Sequence, residues 1–249
     1  MARALSKLGY CSRSQAVELV RAGRVRVQSE IVRDPEYPTV PGRAVIEVDG
    51  NAVLAGKRVY LMLNKPRGLV TSARDEKGRA TVYSLLPEGM PWVAPVGRLD
   101  KASEGLLLMT NDSEWAARIT DPERRVRKSY HLQIRSVAEA ESLQKMWRGV
   151  RETTGETLRV KSVSVVRSGV KNSWLEIVLD EGKNRQIRRI MDALGIEVLR
   201  LIRIAIGPLR LGDLEKAKYR ELTAPEVAAL RGRDARVPIS HMNRAKPRA

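Results

Sequence analysis

The sequence predicts an α+β protein, in which a small α/β unit at the N-terminus precedes a larger region that holds most of the apolar pattern. Three observations carry this prediction. Residues 12–34 contain a helical pattern followed by two short strand patterns. Residues 128–135 alternate between two faces, as a β-strand does, and residues 187–194 place apolar side chains at the spacing of an amphipathic helix. Helices and strands are therefore expected side by side in both parts of the chain.

Composition divides the chain into three regions. Residues 1–56 hold short helical and strand patterns, residues 57–231 hold most of the apolar periodicity, and residues 232–249 are basic and aperiodic. The last region is typical of a disordered tail, for which a solvated terminus without a role is favoured over an RNA-binding arm. With 249 residues and 43% hydrophobic content, the chain can form one sizeable core and a small second domain.

The charge of the chain points to an anionic partner. Lys and Arg number 46 against 29 acidic residues, which gives a net charge of +17. A nucleic-acid backbone is the leading candidate, because each phosphate that is neutralised releases counterions. An anionic membrane is the rival, but the sequence has no run of about 18 apolar residues and no signal-peptide pattern, so we expect a cytoplasmic protein without membrane contact.

The poverty in cysteine and histidine restricts the chemistry. Cys11 is the single cysteine, so it has no partner for an internal disulfide, and His131 and His241 are the two histidines. These residues cannot form a metal-ligand cluster of ordinary spacing. Any reaction is therefore expected to depend on carboxylate, Tyr, Lys or Arg side chains.

The first region predicts a helix followed by a β-hairpin. Ser12 and Gln15 fit a capping box at the helix start, and Gly23 ends the helix. Two strand patterns then flank a turn at residues 28–29. Three arginines near the apolar stripe are candidates for one RNA-binding surface: Arg13, Arg21 and Arg24. Their spacing favours this surface no more than an ordinary solvated helix face.

A single carboxylate lies between two apolar strands in PVGRLDKASEGLLLMTND, residues 95–112. Gly97 and Gly105 lie near the predicted bends, so Asp100 is expected in a loop that a rigid scaffold holds and that remains accessible. Aspartate in such a loop often caps the turn through backbone amides. The four letters GRLD alone favour this capping interpretation.

The strand predicted for residues 128–135 places Tyr130 on the same face as Leu132 and Ile134. The tyrosine ring is then either buried in the core, which is the common outcome, or forms the floor of a pocket. His131 faces the opposite side, and we assign it no role.

The segment LDEGKNRQIRRIMDALG, residues 179–195, predicts an amphipathic helix that ends at Gly195. Cations crowd its start although the helix dipole disfavours them there: Lys183, Arg185, Arg188 and Arg189. An anionic partner is therefore expected. It is either Asp192, one turn after Arg188, or a buried carboxylate together with RNA phosphates.

Six segments of the chain, in order, resemble the RNA pseudouridine synthases of the RsuA/RluB type, which modify ribosomal RNA. The first, ALSKLGYCSRSQAVELVRAGRVRV, is similar to the S4 domain, an RNA-binding module; where that pattern continues Val-Asn-Gly, this chain has Val-Gln-Ser. The others are LNKPRGLVTS, PVGRLDKASEGLLLMTND, RKSYHLQI, LDEGKNRQIRRIMDALG and LIRIAIGPLRLGDLEKAKYRELT. The resemblance covers the chain to about residue 224.

The resemblance implies a catalytic domain with a mixed, mostly antiparallel sheet, helices on its outer face and a cleft across the strands. It implies that Asp100 is the essential aspartate, Tyr130 the active-site tyrosine, and Arg188 the arginine that pairs with the aspartate. It implies neither a cofactor nor a metal. The reaction isomerises a flipped-out uridine to pseudouridine, with Asp100 as nucleophile or as base. Arg98 and the cations from Lys183 to Arg189 are candidates for binding the flanking phosphates.

Two other functions stay open at this point. A non-catalytic ribosome-assembly factor could use the same S4-like domain and basic surface, and Asp100 would then be dispensable. A pseudouridine synthase acting on transfer RNA is also compatible with the cleft residues, although the resemblance favours ribosomal RNA. Six Tyr, four Trp and no Phe predict recognition by shape and backbone contacts rather than by an aromatic sheet. A monomer is the default expectation.

Overall fold

Two sheets organise the part of the chain that the computed structural model describes, which comprises residues 1–40, 42–54, 56–73, 75 and 77–232. A four-stranded sheet lies in the N-terminal region and a nine-stranded sheet in the larger region. The tail predicted to be disordered, residues 232–249, lies outside the described residues except for Gly232.

The N-terminal unit places two helices beside a small antiparallel sheet with the strand order β2-β1-β3-β4. Its elements are α1 (Ala2–Lys7), α2 (Arg13–Arg21), β1 (Val25–Val27), β2 (Glu30–Val32), β3 (Ile46–Val48) and β4 (Asn51–Ala52). The predicted capping box of α2 is confirmed. The Ser12 hydroxyl accepts from the Gln15 amide at 3.2 Å, and the Gln15 side chain accepts from the Ser12 amide at 3.0 Å.

The hairpin between β1 and β2 is also confirmed, with Val27 opposite Glu30. Its turn residues Gln28 and Ser29 both have left-handed backbone, with φ of 50° and 72°. Asn-Gly would adopt this conformation more readily, so the chain tolerates some strain here. The N-terminal unit has its own apolar core, from Met1 to Val48, separate from the cores of the large sheet. This separation supports our proposal that residues 1–56 form a domain.

The larger region is a mixed, mostly antiparallel sheet in the order β11-β12-β8-β13-β7-β5-β15, with β6 paired to β7 and β14 to β13. Its strands are β5 (Tyr60–Lys65), β6 (Ala94–Val96), β7 (Glu104–Thr110), β8 (Lys128–Ile134), β11 (Ser162–Ser168), β12 (Ser173–Leu179), β13 (Val198–Ile206), β14 (Leu209–Arg210) and β15 (Tyr219–Glu221). A separate ribbon joins β9 (Val150–Arg151) to β10 (Thr157–Leu158). The predicted fold class is thus confirmed.

The parallel pairing of β7 with β13 joins the two halves of the large sheet. It sets Glu104 opposite Ile202 and Gly105 opposite Arg203. Every residue of β7 is buried, because Leu106 and Leu108 enter one apolar core while Leu107 and Met109 enter another. Such two-sided burial is typical of strands at the centre of a covered sheet.

Gly105 is required by the close approach of these two strands. Its φ is +100°, and a Cβ at this position would lie 2.3 Å from the backbone oxygen of Arg203. No side chain fits at that distance, so only glycine allows β7 and β13 to pair here. The loop that carries Asp100 ends immediately before this strand.

In the described part of the chain, four α-helices pack on the large sheet: α3 (Ser113–Thr120), α4 (Ala140–Arg148), α5 (Gln186–Ala193) and α6 (Ala224–Arg231). Helix α5 confirms the predicted amphipathic helix, with Ile187, Ile190 and Met191 buried against β8 and β12. Gly195 follows it with a φ of +68°, as expected for the residue that ends a helix. Among the described residues, no helix has the length and apolar character needed to span a bilayer.

Candidate active site

A cleft with a volume of about 380 Å³ opens where the loop of residues 97–103, strand β8 and the start of helix α5 meet. This volume lies in the range of ordinary ligand sites. All three predicted catalytic residues line the cleft, namely Asp100, Tyr130 and Arg188. The predicted RNA-binding residues Arg98, Lys183 and Arg185 line it as well, whereas Arg189 does not. Residues from distant parts of the sequence thus converge on one cavity.

The backbone around Asp100 is held from below by a buried lysine. Lys65, which has 0% of its surface exposed, donates from Nζ to the carbonyl oxygens of Pro66, Asp100 and Ser103 at 3.2, 3.1 and 2.9 Å. The hydroxyl of Thr71 donates to the carbonyl of Leu99 at 2.8 Å. The loop is therefore fixed through its main chain, and the Asp100 side chain is left available.

The carboxylate of Asp100 faces the cleft with 33% of its side chain exposed. No backbone amide of the described residues donates to it, so turn capping does not account for this aspartate. Its ion-pair partner is Arg185, with Nη1 at 3.5 Å from Oδ2. Arg185 precedes α5 in a left-handed conformation with φ of 47°, a strained geometry for a non-glycine residue.

The prediction that Arg188 pairs directly with Asp100 is therefore wrong in this structure. Arg188 Nη2 instead donates to the carbonyl oxygen of Ala102, on the same loop, at 3.1 Å. Arg188 Nε is buried and has no hydrogen-bond partner among the described residues. Burial, and then the charge of Arg185, lower the pKa of the Arg188 guanidinium, while Asp100 opposes this shift. The two groups thus interact through space without a direct ion pair.

Tyr130 lies in the middle of β8, opposite Ile177 on β12 and Arg203 on β13. Its ring is half-buried and packs against two apolar cores while it lines the cleft. His131 faces the other side of the sheet, where its Nε2 lies 4.0 Å from a Glu176 oxygen. The two neighbouring side chains therefore separate as the strand alternation predicts.

Carboxylates of the protein itself neutralise two of the cations at the start of α5. Arg189 pairs with Glu152 and with Glu156, and Lys183 lies 3.0 Å from a Glu156 oxygen and 3.8 Å from Glu181. Asp192, the alternative partner that the sequence offered for Arg188, forms no ion pair with a described residue. The guanidinium of Arg189 is thus partly neutralised by two carboxylates at the β9–β10 ribbon, and its role in RNA binding stays a prediction.

The three arginines predicted to form an RNA-binding face in the N-terminal unit differ in their surroundings. Arg24 makes a two-point hydrogen bond to Asp49, at 2.8 and 2.5 Å, and Arg13 lies 3.7 Å from a Glu36 oxygen. Arg21 is exposed and forms no ion pair with any described residue. The surface is thus partly neutralised, and its role stays a prediction.

Sequence reasoning missed two buried cations beside the cleft, Lys65 and Arg203. Burial lowers the pKa of Lys65 to about 8, against the opposing charges of Asp100 and Glu104. Arg203 is 4% exposed; its Nε donates to Leu106 O at 2.7 Å and its Nη1 to Arg98 O at 3.4 Å. A sequence signal existed, because both cations stand within largely apolar strand patterns, YLMLNK and VLRLIRIAI.

The cleft contains titratable groups but no set of metal ligands. In the described ranges, no group of three or more His, Cys, Asp or Glu side chains is placed to hold a metal ion. The groups that line the cleft include the carboxylates of Asp100 and Glu181, the phenol of Tyr130, two lysine amines and several guanidinium groups. This set suits the binding of an anionic polymer and proton transfer or nucleophilic attack by Asp100.

Comparison with known proteins gives two family matches. Residues 59–193 match the RNA pseudouridylate synthase model, and residues 2–45 match the S4 domain. An uncharacterized RNA pseudouridine synthase from Aquifex aeolicus is 38% identical over 227 residues, 91% of each chain. The ribosomal large subunit pseudouridine synthase B of Bacillus subtilis is 36% identical over 230 residues, 92% of this chain and 94% of that one.

The fold is also similar to a solved structure. A crystal structure of a pseudouridylate synthase superimposes with a TM-score of 0.65 at 27% identity, and the match covers 92% of this chain and 98% of the other. Sequence and structure comparisons therefore extend over both the N-terminal unit and the large sheet.

Proposed function

The chain belongs to the RNA pseudouridylate synthase family, a family of isomerases, and carries an N-terminal S4 domain, and from this premise we propose that it converts a specific uridine of ribosomal RNA to pseudouridine. The single observation that carries the proposed mechanism is the convergence of Asp100, Tyr130 and Arg188 on one cleft. A cytoplasmic location and a monomeric state are part of the proposal.

The reaction explains why these residue types are needed. The bond between N1 and C1′ breaks, the uracil turns, a bond between C5 and C1′ forms, and the proton of C5 is replaced by one on N1. Asp100 acts either as the nucleophile toward the nucleoside or as the base that removes a sugar proton. Both routes need an accessible carboxylate on a fixed loop, and the contacts of Lys65 with that loop support this requirement.

Tyr130 and Arg188 have distinct proposed tasks around the detached base. The half-buried ring of Tyr130 offers a flat surface for the uracil, and its hydroxyl can relay the proton that leaves C5 by passing its own proton on to solvent, from which N1 is protonated. Arg188 holds the loop through the Ala102 carbonyl at 3.1 Å and keeps a positive field near Asp100. This field stabilises negative charge on the carboxylate in a partly desolvated site.

The modified uridine must leave its stack to reach the cleft, which costs a few kcal/mol. Cations that contact the flanking phosphates can offset this cost. Arg98 is exposed at the cleft and forms no ion pair with a described residue, so it is the leading candidate. Arg67, on the neighbouring loop, is exposed as well and lies close enough to lower the pKa of Arg188.

Ribosomal RNA is proposed as the substrate class on three grounds. The relative from Bacillus subtilis is named as a synthase of the large ribosomal subunit, the chain carries an S4 domain, and its net charge of +17 suits a large RNA. The S4 domain would act as a second contact that positions an rRNA helix over the cleft.

The test is a map of pseudouridine in rRNA from cells with the intact protein, with a deletion, and with Asp100→Asn. Loss of the same rRNA site in both altered strains is expected. If every rRNA pseudouridine survives both changes, ribosomal RNA is the wrong substrate, and the same map of transfer RNA identifies the alternative.

A further inference from the structure

A second groove, with a volume of about 430 Å³, lies beside the end of helix α4. We call it the Trp147 groove; it is lined by Arg125, Trp147, Arg148, Arg159, Val160, Lys161 and Asp180. Four cations thus surround one indole ring and one carboxylate. None of these residues belongs to the catalytic set of the cleft.

Trp147 is exposed although the helix that carries it is firmly packed. Its side chain is 61% exposed, whereas the preceding Met146 is fully buried in the core between α4 and the sheet. The carbonyl of Met146 also accepts from the amide of Val160 at 3.0 Å, which ties the helix to the groove wall. Because this indole stays in solvent on a well-packed helix, it lacks the hydrophobic stabilisation that a tryptophan gains when it is buried.

The other three tryptophans each contact a ring or a cation. Trp92 stacks on Tyr83, Trp115 packs edge-on to Tyr60, and Trp174 lies beneath two guanidinium groups. Trp147 makes no such contact with a described residue. Its indole face is therefore available for a ligand.

The arginines of the groove are unpaired, in contrast to those at the start of α5. The guanidinium groups of Arg125, Arg148 and Arg159 make no ion pair or hydrogen bond with the part of the chain that the structure describes. Lys161 lies 3.7 Å from Asp180, which is the single acidic residue of the groove. The groove therefore presents a net positive field beside an exposed aromatic face.

The lining of the groove adjoins that of the active-site cleft along the chain, although the two have no residue in common. Asp180 lies in the chain between Leu179 and Glu181, which both line the cleft. The carbonyl of Arg159, a groove residue, accepts from Nε2 of the cleft residue Gln186 at 2.9 Å. The groove and the cleft are therefore built from adjoining parts of the same chain segments.

We propose that the Trp147 groove binds an unpaired nucleotide of the RNA substrate next to the modified uridine, with its base stacked on Trp147 and its phosphates held by Arg125, Arg148 and Arg159. Stacking of bases on aromatic rings beside a basic path is the way in which proteins bind single-stranded RNA. This inference rests on the proposed function, since it requires that RNA enters the adjacent cleft. The site selects a single-stranded flank, which a fully paired helix cannot supply.

The test compares two labelled probes on the full chain by fluorescence anisotropy: a short oligouridylate and an oligomer of equal length that lacks bases. Trp147→Ala is expected to weaken oligouridylate binding at least about five-fold, which corresponds to the loss of one stacked base. Binding of the oligomer without bases should not change. Trp147→Phe should restore most of the affinity, because it keeps an aromatic face.

The phosphate contacts are tested by replacing Arg125, Arg148 and Arg159 together with glutamine. Both probes should bind more weakly. The slope of log Kd against log salt concentration should fall by about two, because each lost phosphate contact to a single strand contributes about 0.7 to that slope. Arg210→Gln, which removes an exposed arginine of β14 outside the groove, is the charge control. Arg148→Gln is measured alone for this comparison, and Arg210→Gln should weaken binding less than Arg148→Gln does.

Three results would overturn the proposal. These are an unchanged affinity of Trp147→Ala for oligouridylate, an equal loss for both probes in that variant, and tighter binding of an oligoglutamate peptide that the triple arginine variant abolishes, which would assign the groove to an acidic protein. The rRNA map with Asp100→Asn fails or succeeds independently of these binding data. If Trp147→Ala weakens oligouridylate binding but Asp100→Asn leaves the rRNA map unchanged, the groove is retained and the catalytic proposal is rejected. If Trp147→Ala binds normally but Asp100→Asn removes an rRNA site, the groove alone is rejected.

Discussion

The ammonium group of Lys65 lies directly beneath the loop of Asp100 and donates to the Asp100 carbonyl oxygen at 3.1 Å. The same group also holds the carbonyl of Ser103 at 2.9 Å, so one buried cation fixes both ends of the turn. The catalytic geometry proposed for Asp100 thus depends on a fully buried residue that does not line the cleft.

Lys65 should make stability depend on pH in the alkaline range. Burial lowers its folded-state pKa from 10.5 to about 8, so the unfolded chain binds more protons between these values. The free energy of unfolding contributed by Lys65 should therefore rise with pH across this window, by up to about 3 kcal/mol. Urea unfolding of the wild type and of Lys65→Met at several pH values measures the difference. If the free energy of unfolding varied with pH in the same way in both proteins, Lys65 would not be the source of the pH dependence.

Asp100→Asn should abolish activity while leaving stability nearly unchanged. The side chain is one-third exposed, and its ion pair with Arg185 spans 3.5 Å, so its removal should change the free energy of unfolding by less than about 1 kcal/mol. Loss of a general base alone costs about 10²–10⁴-fold in rate, and loss of a nucleophile costs more. Release of tritium from RNA labelled at uracil C5, with thermal unfolding as a folding control, checks both parts. Activity within tenfold of wild type would reject the role.

Arg188→Gln should reduce turnover more than Arg185→Gln, although Arg185 makes the ion pair. Arg188 is half-buried and holds the loop through Ala102, so its loss removes both a contact and a field in a partly desolvated site. The ion pair of Arg185 is exposed and screened. The values of kcat for the two variants show which arginine contributes more to turnover. Arg189→Gln, which breaks contacts with Glu152 and Glu156 away from the cleft, is the matched control; a larger loss for Arg185→Gln would reverse the assignment.

Gly105→Ala should destabilise the protein by more than about 3 kcal/mol or prevent folding, because the added Cβ would lie 2.3 Å from the Arg203 carbonyl oxygen. Gly68→Ala is a close control. Gly68 has a φ of +101° and open space around its missing Cβ, so this variant reports backbone strain alone. That strain costs about 1–2 kcal/mol. Thermal or urea unfolding of both variants measures the contribution of the strand contact. Equal losses of unfolding free energy would show that the close contact between β7 and β13 adds nothing to the backbone strain.

Removal of residues 1–56 should weaken rRNA binding while the large sheet stays folded. The apolar core of the N-terminal unit is separate from the cores that surround β7 and β8, so few buried contacts are lost. Binding of rRNA fragments to the truncated and full chains, with circular dichroism as the folding control, measures the effect. Unchanged affinity and activity would show that the S4 domain is not a second contact with the substrate.

Local sequence patterns were sufficient to predict several individual helices, strands and turns. The capping box at Ser12, the hairpin turn at residues 28–29 and the helix that ends before Gly195 each depend on a few neighbouring residues. The alternation of β8 likewise placed Tyr130 and His131 on opposite sides of the sheet. The strand patterns on either side also placed Asp100 in an accessible loop, which the structure shows between β6 and the fully buried β7.

The tertiary structure decided which charged groups meet. That Arg185 rather than Arg188 pairs with Asp100, that Glu152 neutralises Arg189, and that Lys65 lies under the catalytic loop all depend on segments far apart in sequence. A side-chain ion pair forms only when the two charged groups lie within a few ångströms of each other. Strand register and helix packing set this distance. A sequence by itself determines the periodicity of each segment, whereas the packing of the whole sheet determines the distances between them.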